Sequence, residues 1–168
     1  RKVGAFEGVD GRMERVDCSE RYKVVVDYAH TPDALRNALS MLRECTPGKL
    51  HLVFGCGGDR DRGKRMEMTR VACAGADTVW ATSDNPRTES QSNIFRDMRK
   101  GISKGVEAHF IEDRRRAISL ALDGANEGDC VLIAGKGHET FQEVQYTAIP
   151  FDDRKVADEL LQAKSLAK

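Results

Sequence analysis

"KVVVDYAHTPDALRNALSMLRE", residues 23–44, decides the fold. Three consecutive valines, Val24 to Val26, read as a strand buried on both faces, because a half-exposed strand would alternate apolar and polar residues. A short polar loop follows. Thr31 is a good N-cap, and Pro32 suits the first helical position, where a missing N–H costs nothing. Leu35, Leu39 and Leu42 then share one helical face. Strand, loop and helix in that order make the opening of a parallel βαβ unit.

The unit recurs along the chain. "LHLVFGCGGDRDRG" (50–63), "DTVWATSDNPRTE" (77–89), "EAHFIEDRRR" (107–116) and "DCVLIAGKGHE" (129–139) each pass from an apolar run into a polar or glycine-rich loop. Helical periodicity predicts helices near 65–76, over 92–102 and over 114–126. "TFQEVQYTAIPF" (140–151) reads as a late strand or hairpin at a sheet edge, and "DDRKVADELLQAK" (152–164) as a closing helix capped by Asp152. The expected architecture is α/β: a doubly wound, mostly parallel sheet with helices on both faces. The linker-like piece is "FEGVDGRMERVD" (6–17), near the front of the chain.

A chain of 168 residues fits one domain able to bury its own core. Lys plus Arg and Asp plus Glu number 27 each, so no global field draws the protein to nucleic acid or an anionic membrane. No apolar run approaches a bilayer span, and a soluble, cytoplasmic protein is expected. Cys18, Cys45, Cys56, Cys73 and Cys130 contain no CxxC pair and are expected to be reduced. Together with His30, His51, His109 and His138 they show no metal-ligand spacing, so no metal site is expected.

In doubly wound sheets, ligands bind outside the carboxyl ends of the strands. Four loops fall there: "DYAHTP" (27–32), "GCGGDRDRGK" (55–64), "TSDNPRTE" (82–89) and "GKGHE" (135–139). In the third, Pro86 fixes its own φ and pushes Asn85 toward an extended conformation, which suits a plain turn. It equally suits a receptor for a zwitterion: Asp84 and Asn85 for an ammonium group, Arg87 as a fork for a carboxylate. "GDRDRGKR" (58–65) nearly matches a phosphate-binding loop, but Arg65 stands where a magnesium-holding Ser or Thr belongs, and Asp59 and Asp61 would repel a triphosphate. A polar ligand loop remains, with Arg60 available to a carboxylate, or else a solvated charge run. In "GKGHE" the glycines let the backbone approach a ligand and Glu139 could accept from an ammonium group; a plain glycine turn is the alternative. Asp27 could hold ribose hydroxyls and His30 a phosphate, or both could be caps. Convergence of these loops at one sheet edge favours a site.

The four loop motifs, in this order and with "GRMERV" (11–16) before them, resemble the carboxyl-terminal domain of the Mur ligases, and within them the branch that adds the third amino acid to the peptidoglycan precursor. The likeness covers essentially the whole chain. It implies a Rossmann-like domain, residues 17–168, preceded by a lead-in, residues 1–16, from a central ATPase domain that the chain lacks. It also implies a share in ATP-dependent amide formation through an acyl phosphate, with ATP and Mg2+ held mainly by that missing domain; the fragment alone is then expected to be inactive. The expected partners are small molecules, UDP-MurNAc-L-Ala-D-Glu, ATP and an amino acid, acting on a monomer.

An Asp-Asn-Pro-Arg motif marks the enzymes of this family that add meso-diaminopimelate. By the same resemblance Arg87, with Asp84, Asn85 and Pro86 of its motif, would grip the distal amino-acid head. Arg60 would contact a carboxylate, and Gly135 and Glu139 would hold the distal ammonium. Arg12, Asp27 and His30 would face the nucleotide. The chain departs from the family at Asp10, where proline is common, at Thr31, where asparagine is frequent, and at Phe141, where tyrosine is usual. A lysine-adding ligase, a folylpolyglutamate synthetase relative and a non-catalytic binding module are the competing expectations. Arg87 stands against the first, and the pairing of "DNPR" with "GKGHE" against the second.

Overall fold

A computed structural model describes residues 11–18 and 20–168. Among these the chain runs β1 (Glu14–Val16), β2 (Lys23–Asp27), α1 (Pro32–Glu44), β3 (Leu50–Cys56), α2 (Gly63–Gly75), β4 (Thr78–Ser83), α3 (Gln91–Arg99), β5 (Glu107–Phe110), α4 (Arg114–Asp123), β6 (Cys130–Ala134), β7 (Phe141–Val144), β8 (Thr147–Pro150) and α5 (Asp153–Leu166). The main sheet has the order β1-β2-β6-β3-β4-β5. Only β1 is antiparallel to its neighbour; the other pairings are parallel.

The apolar runs explain the layering. Every residue of β3 and β6 is buried, as strands covered on both sides must be. Leu35, Leu39 and Leu42 of α1 pack with Met68 and Ala72 of α2 and Ile94 and Met98 of α3 on one face. Ala117, Ile118 and Leu122 of α4 and Val156, Ala157 and Leu161 of α5 cover the other. The chain thus lays β3, β4 and β5 outward from β2 under one helical layer. It then returns beneath the second layer to insert β6 between β2 and β3, and that reversal opens a crevice at the strand ends.

Local signals hold where they were clearest. Thr31 Oγ1 accepts from Ala34 N at 3.2 Å with Pro32 opening α1, and Asp152 accepts from Arg154 N and Lys155 N to cap α5. Three details differ from expectation. The segment read as linker ends in β1, paired with β2 from Glu14 to Val16; Asp10 lies outside the described residues. Helix α3 stops at Arg99 and α4 at Asp123, each short of its glycine, Gly101 and Gly124. The late hairpin does not extend the main sheet: β7 and β8 pair with each other as a separate two-stranded sheet, joined to the loop after β4 by one isolated parallel bridge, Arg87 to Val144. The hairpin is seated instead by polar contacts, among them Gln142 Nε2 donating to Ser83 Oγ (3.1 Å) and to Asp84 O (2.8 Å).

Arg114, the first residue of α4, is 1% exposed. Its Nε and Nη2 donate to the two oxygens of Asp153, the first residue of α5, at 2.8 and 2.7 Å. Nη1 and Nη2 also donate to Ser83 O and Ala134 O, the ends of β4 and β6, both at 3.1 Å. Arg114→Met is expected to lose about 3–5 kcal/mol of stability, because it leaves the Asp153 carboxylate buried without its partner. Chemical denaturation checks this; a loss under about 1 kcal/mol would show that the strand ends do not depend on the pair.

Candidate functional site

The ends of β2, β3, β4 and β6 open onto a cleft of about 490 Å³, lined by residues from all four predicted loops. Of the residues singled out from the sequence, His30, Arg60, Asp84, Asn85, Arg87, Gly135 and Glu139 line it. Pro86 is buried behind the lining, its carbonyl accepting from Glu89 N at 3.0 Å. A larger groove, about 680 Å³, runs between α1 and α2 beside Arg36, Arg43 and Arg70, but it lies on helix flanks away from the strand ends.

The loop after β3 is fastened to the loop after β4. Gly58 N donates to Asn85 O at 2.8 Å, and a Cβ on Gly58 would lie 1.9 Å from Pro86 O, so only glycine permits this approach. Asp59 accepts from both the hydroxyl and the backbone N–H of Thr88, which holds its carboxyl below the usual range. Arg65, 1% exposed, pairs with Glu89 and Asp97 and donates to Gly57 O. The residue that breaks the phosphate-loop pattern is therefore an internal strut. Among the described residues no group of three or more His, Cys, Asp and Glu is arranged to hold a metal ion.

Arg87 adopts φ +53°, a strained backbone conformation for a side chain of its size. Its N–H donates to Glu143 O and its carbonyl accepts from Gln145 N, both at 2.9 Å, which locks it to the hairpin. Its Nη1 donates to Gly58 O at 2.8 Å and its Nε to Glu143 Oε2 at 3.2 Å. Asn85 Oδ1 accepts from Lys136 Nζ (3.2 Å) and Glu143 N (3.0 Å). That occupies the oxygen and leaves the amide NH2 as the group free to meet a ligand, so Asn85 suits a carboxylate better than the ammonium first expected.

Lys136, wholly buried, went unassigned in the sequence. Its ammonium reaches Asn85 and, at 3.4 Å, Glu139 Oε2, joining the third and fourth loops through one charge. Its position between two glycines at the end of a fully apolar strand was the available signal. Asp84 is the counterpart: among the described residues nothing donates to its carboxylate. Burial pushes its pKa up, against the pull of Arg114 and Lys136 and with the push of Glu139 and Asp153. Gly135, at φ +113°, makes room for it, since a Cβ there would meet Asp84 Oδ2 at 2.8 Å. Behind it, burial first and the Asp84 charge second push the Cys56 thiol up to about 12, leaving it unreactive.

Besides Pro86, two sequence candidates, Asp27 and Arg12, lie outside the cleft lining. Asp27, 8% exposed, accepts from Met13 N and Ala29 N, both at 2.7 Å, so its oxygens fasten the approach to β1 onto the loop after β2. Arg12 is exposed on that approach. His30 stacks edge-on against Tyr28 at the cleft mouth, its Nδ1 3.0 Å from Tyr28 O.

The family described as "Mur ligase, glutamate ligase domain" matches residues 11–137. The chain belongs to the Mur ligase family. This Mur ligase domain is 53% identical over 160 residues to a UDP-N-acetylmuramoyl-L-alanyl-D-glutamate--2,6-diaminopimelate ligase of Gloeobacter violaceus, covering 95% of this chain and 33% of that protein. It is 48% identical over 167 residues to the protein of the same name from Parasynechococcus marenigrum, with 96% and 33% covered. The chain thus spans about a third of the length of these relatives. A solved structure of a ligase of that name superposes with a TM-score of 0.89 at 48% identity, over 94% of this chain and 32% of that one. A folylpolyglutamate synthase from Thermotoga maritima shares the fold alone, with a TM-score of 0.58 at 20% identity, over 79% of this chain and 30% of that one.

The Asp84 carboxyl yields a pH prediction. Its pKa is raised in the folded state, so the stability it contributes is present at low pH and is lost as pH rises through that raised pKa. Asp84→Asn should therefore melt higher than the parent at pH 8, with the gap shrinking on acidification and levelling off below about pH 4. A variant less stable than the parent at pH 8 would show the carboxylate to be already paired.

Proposed function

We propose that the chain is the amino-acid-binding domain of an ATP-dependent ligase that adds meso-diaminopimelate to UDP-N-acetylmuramoyl-L-alanyl-D-glutamate. One observation carries this: a single cleft is lined both by an arginine, Arg87, whose Nη2 has no acceptor among the described residues and by a carboxylate, Asp84, that has no hydrogen-bond donor among them. Such a pair matches an amino-acid head, which presents one anion and one cation side by side. The names of the relatives support the same substrate.

Diaminopimelate carries two such heads, and lysine only one. Arg87, aided by the Asn85 amide and by Arg60, takes the distal carboxylate; Asp84, Glu139 and the Gly135 backbone take the distal ammonium. The other head's amine is then held toward the activated substrate. In the reaction that amine attacks the carbonyl carbon of an acyl phosphate, the C–N bond forms, the C–O bond to phosphate breaks, and the amine loses a proton. The domain's share is to orient the nucleophile and exclude water.

ATP and Mg2+ are assigned to a central domain outside this chain, with residues 1–16 as the lead-in and 17–168 as the domain itself. Arg12 and Asp27 would approach the nucleotide only through that partner domain, while His30 already stands at the cleft mouth. The fragment alone is inactive on this reading, and the ligase works as a cytoplasmic monomer. No helix among the described residues is long and apolar enough to cross a membrane.

An amide chemical-shift titration with meso-diaminopimelate and, separately, L-lysine should move residues 58–60, 84–87 and 135–139 with the first ligand only. In the complete ligase, Arg87→Ala should cut kcat/KM for meso-diaminopimelate about 10- to 100-fold, the worth of a charged hydrogen-bonded contact, and leave lysine use unchanged. An unaltered amino-acid preference would sink the assignment.

A further inference from the structure

We propose that Glu143, in the hairpin, is a positioning residue that sets which edge of the Arg87 guanidinium faces the cleft and so sharpens selection for a distal carboxylate. The proposal rests on the assignment of Arg87 to that carboxylate. A guanidinium offers two forks, one made by Nε and Nη2, the other by Nη1 and Nη2. Glu143 Oε2 takes Nε at 3.2 Å, which closes the first fork to a ligand. Gly58 O takes one hydrogen of Nη1 at 2.8 Å. The second Nη1 hydrogen and both hydrogens of Nη2 have no acceptor among the described residues, so Nη2, at the tip of the group, is the donor atom left wholly to the ligand carboxylate. With the Cα of Arg87 locked at φ +53°, swivelling of the outer side chain is the freedom left to the group, and Glu143 at Nε restrains it together with Gly58 O at Nη1.

The Glu143 backbone acts separately from its side chain. Its N–H donates to Asn85 Oδ1 and its carbonyl accepts from Arg87 N, while a parallel bridge joins Arg87 to Val144. Truncating the side chain therefore leaves the hairpin seated and removes only the hold on Nε. The Glu143 side chain is 42% exposed, so its charge is partly screened and its contribution is orientation rather than bulk attraction.

Glu143→Ala and Glu143→Gln test this through two readouts. The first needs no ligand: in the 168-residue chain, the Arg87 Nε–H proton should exchange with water at least about tenfold faster in Glu143→Ala, and near the parent rate in Glu143→Gln, whose amide oxygen still accepts. The second uses the complete ligase. Glu143→Ala should raise KM for meso-diaminopimelate about tenfold with kcat within about twofold, lower the preference over L-lysine by the same factor, and recover with Gln. Unchanged Nε–H exchange would overturn the proposal, as would a lowered KM in Glu143→Ala, which would make Glu143 a competitor for Arg87. The two assignments fail separately: Arg87→Ala with intact selectivity removes the carboxylate assignment itself, whereas a damaged Arg87→Ala beside a silent Glu143→Ala removes only the role of Glu143.

Discussion

A buried arginine at the ends of two strands holds the binding edge of this sheet together. Arg114 meets Asp153 with a bidentate pair and spends its remaining donors on the last carbonyls of β4 and β6. Both partners are fully buried, an arrangement that is tolerable only because every strong hydrogen-bonding group finds a match. The two helices of one layer thus begin at the point where the strands end. The residues that follow those carbonyls are Asp84 and Gly135, so the same ion pair that closes the second helical layer also sets the floor of the cleft.

From that floor the site is built by loops gripping one another rather than by loops reaching separately for a ligand. The loop after β3 is tied to the loop after β4 through Asp59, Thr88 and the Gly58–Pro86 approach. Lys136 joins that loop to the glycine-rich one after β6, and the hairpin backs Arg87. Most polar groups at the edge are consumed in this way. Asp84 and one side of Arg87 are left over, and burial raises the pKa of the Asp84 carboxyl. Pre-organisation of this kind lowers the ordering cost of binding, at some expense in stability of the empty domain.

The elements and the location of the site were legible in the sequence because their signals are local. Three valines in a row mean two covered faces, Thr31 followed by Pro32 starts a helix, and Asp152 caps another. Parallel strands then dictate that the loops following them share one edge, which is why His30, Arg60, Asp84, Asn85, Arg87, Gly135 and Glu139 meet in one cleft. The motif likeness to the Mur ligases added chemical roles that no periodicity contains, and the family match bears out the likeness.

Partnership was the part that only the tertiary structure decided. Asp27 looked as available as Asp84, yet its oxygens hold backbone N–H groups while those of Asp84 face the cleft. Arg65 stood only as the residue that breaks a phosphate-loop pattern and is an internal strut; Lys136 and Arg114 carried no assignment in the sequence and are wholly enclosed. The hairpin was recognised, but not that it would back Arg87 instead of lengthening the sheet. The physical reason is range. Capping and periodicity act within a few residues, whereas Arg65 finds Glu89 24 residues on, Arg114 finds Asp153 39 on and Asn85 finds Lys136 51 on. Such pairs depend on strand order, and strand order is settled by packing the whole chain at once.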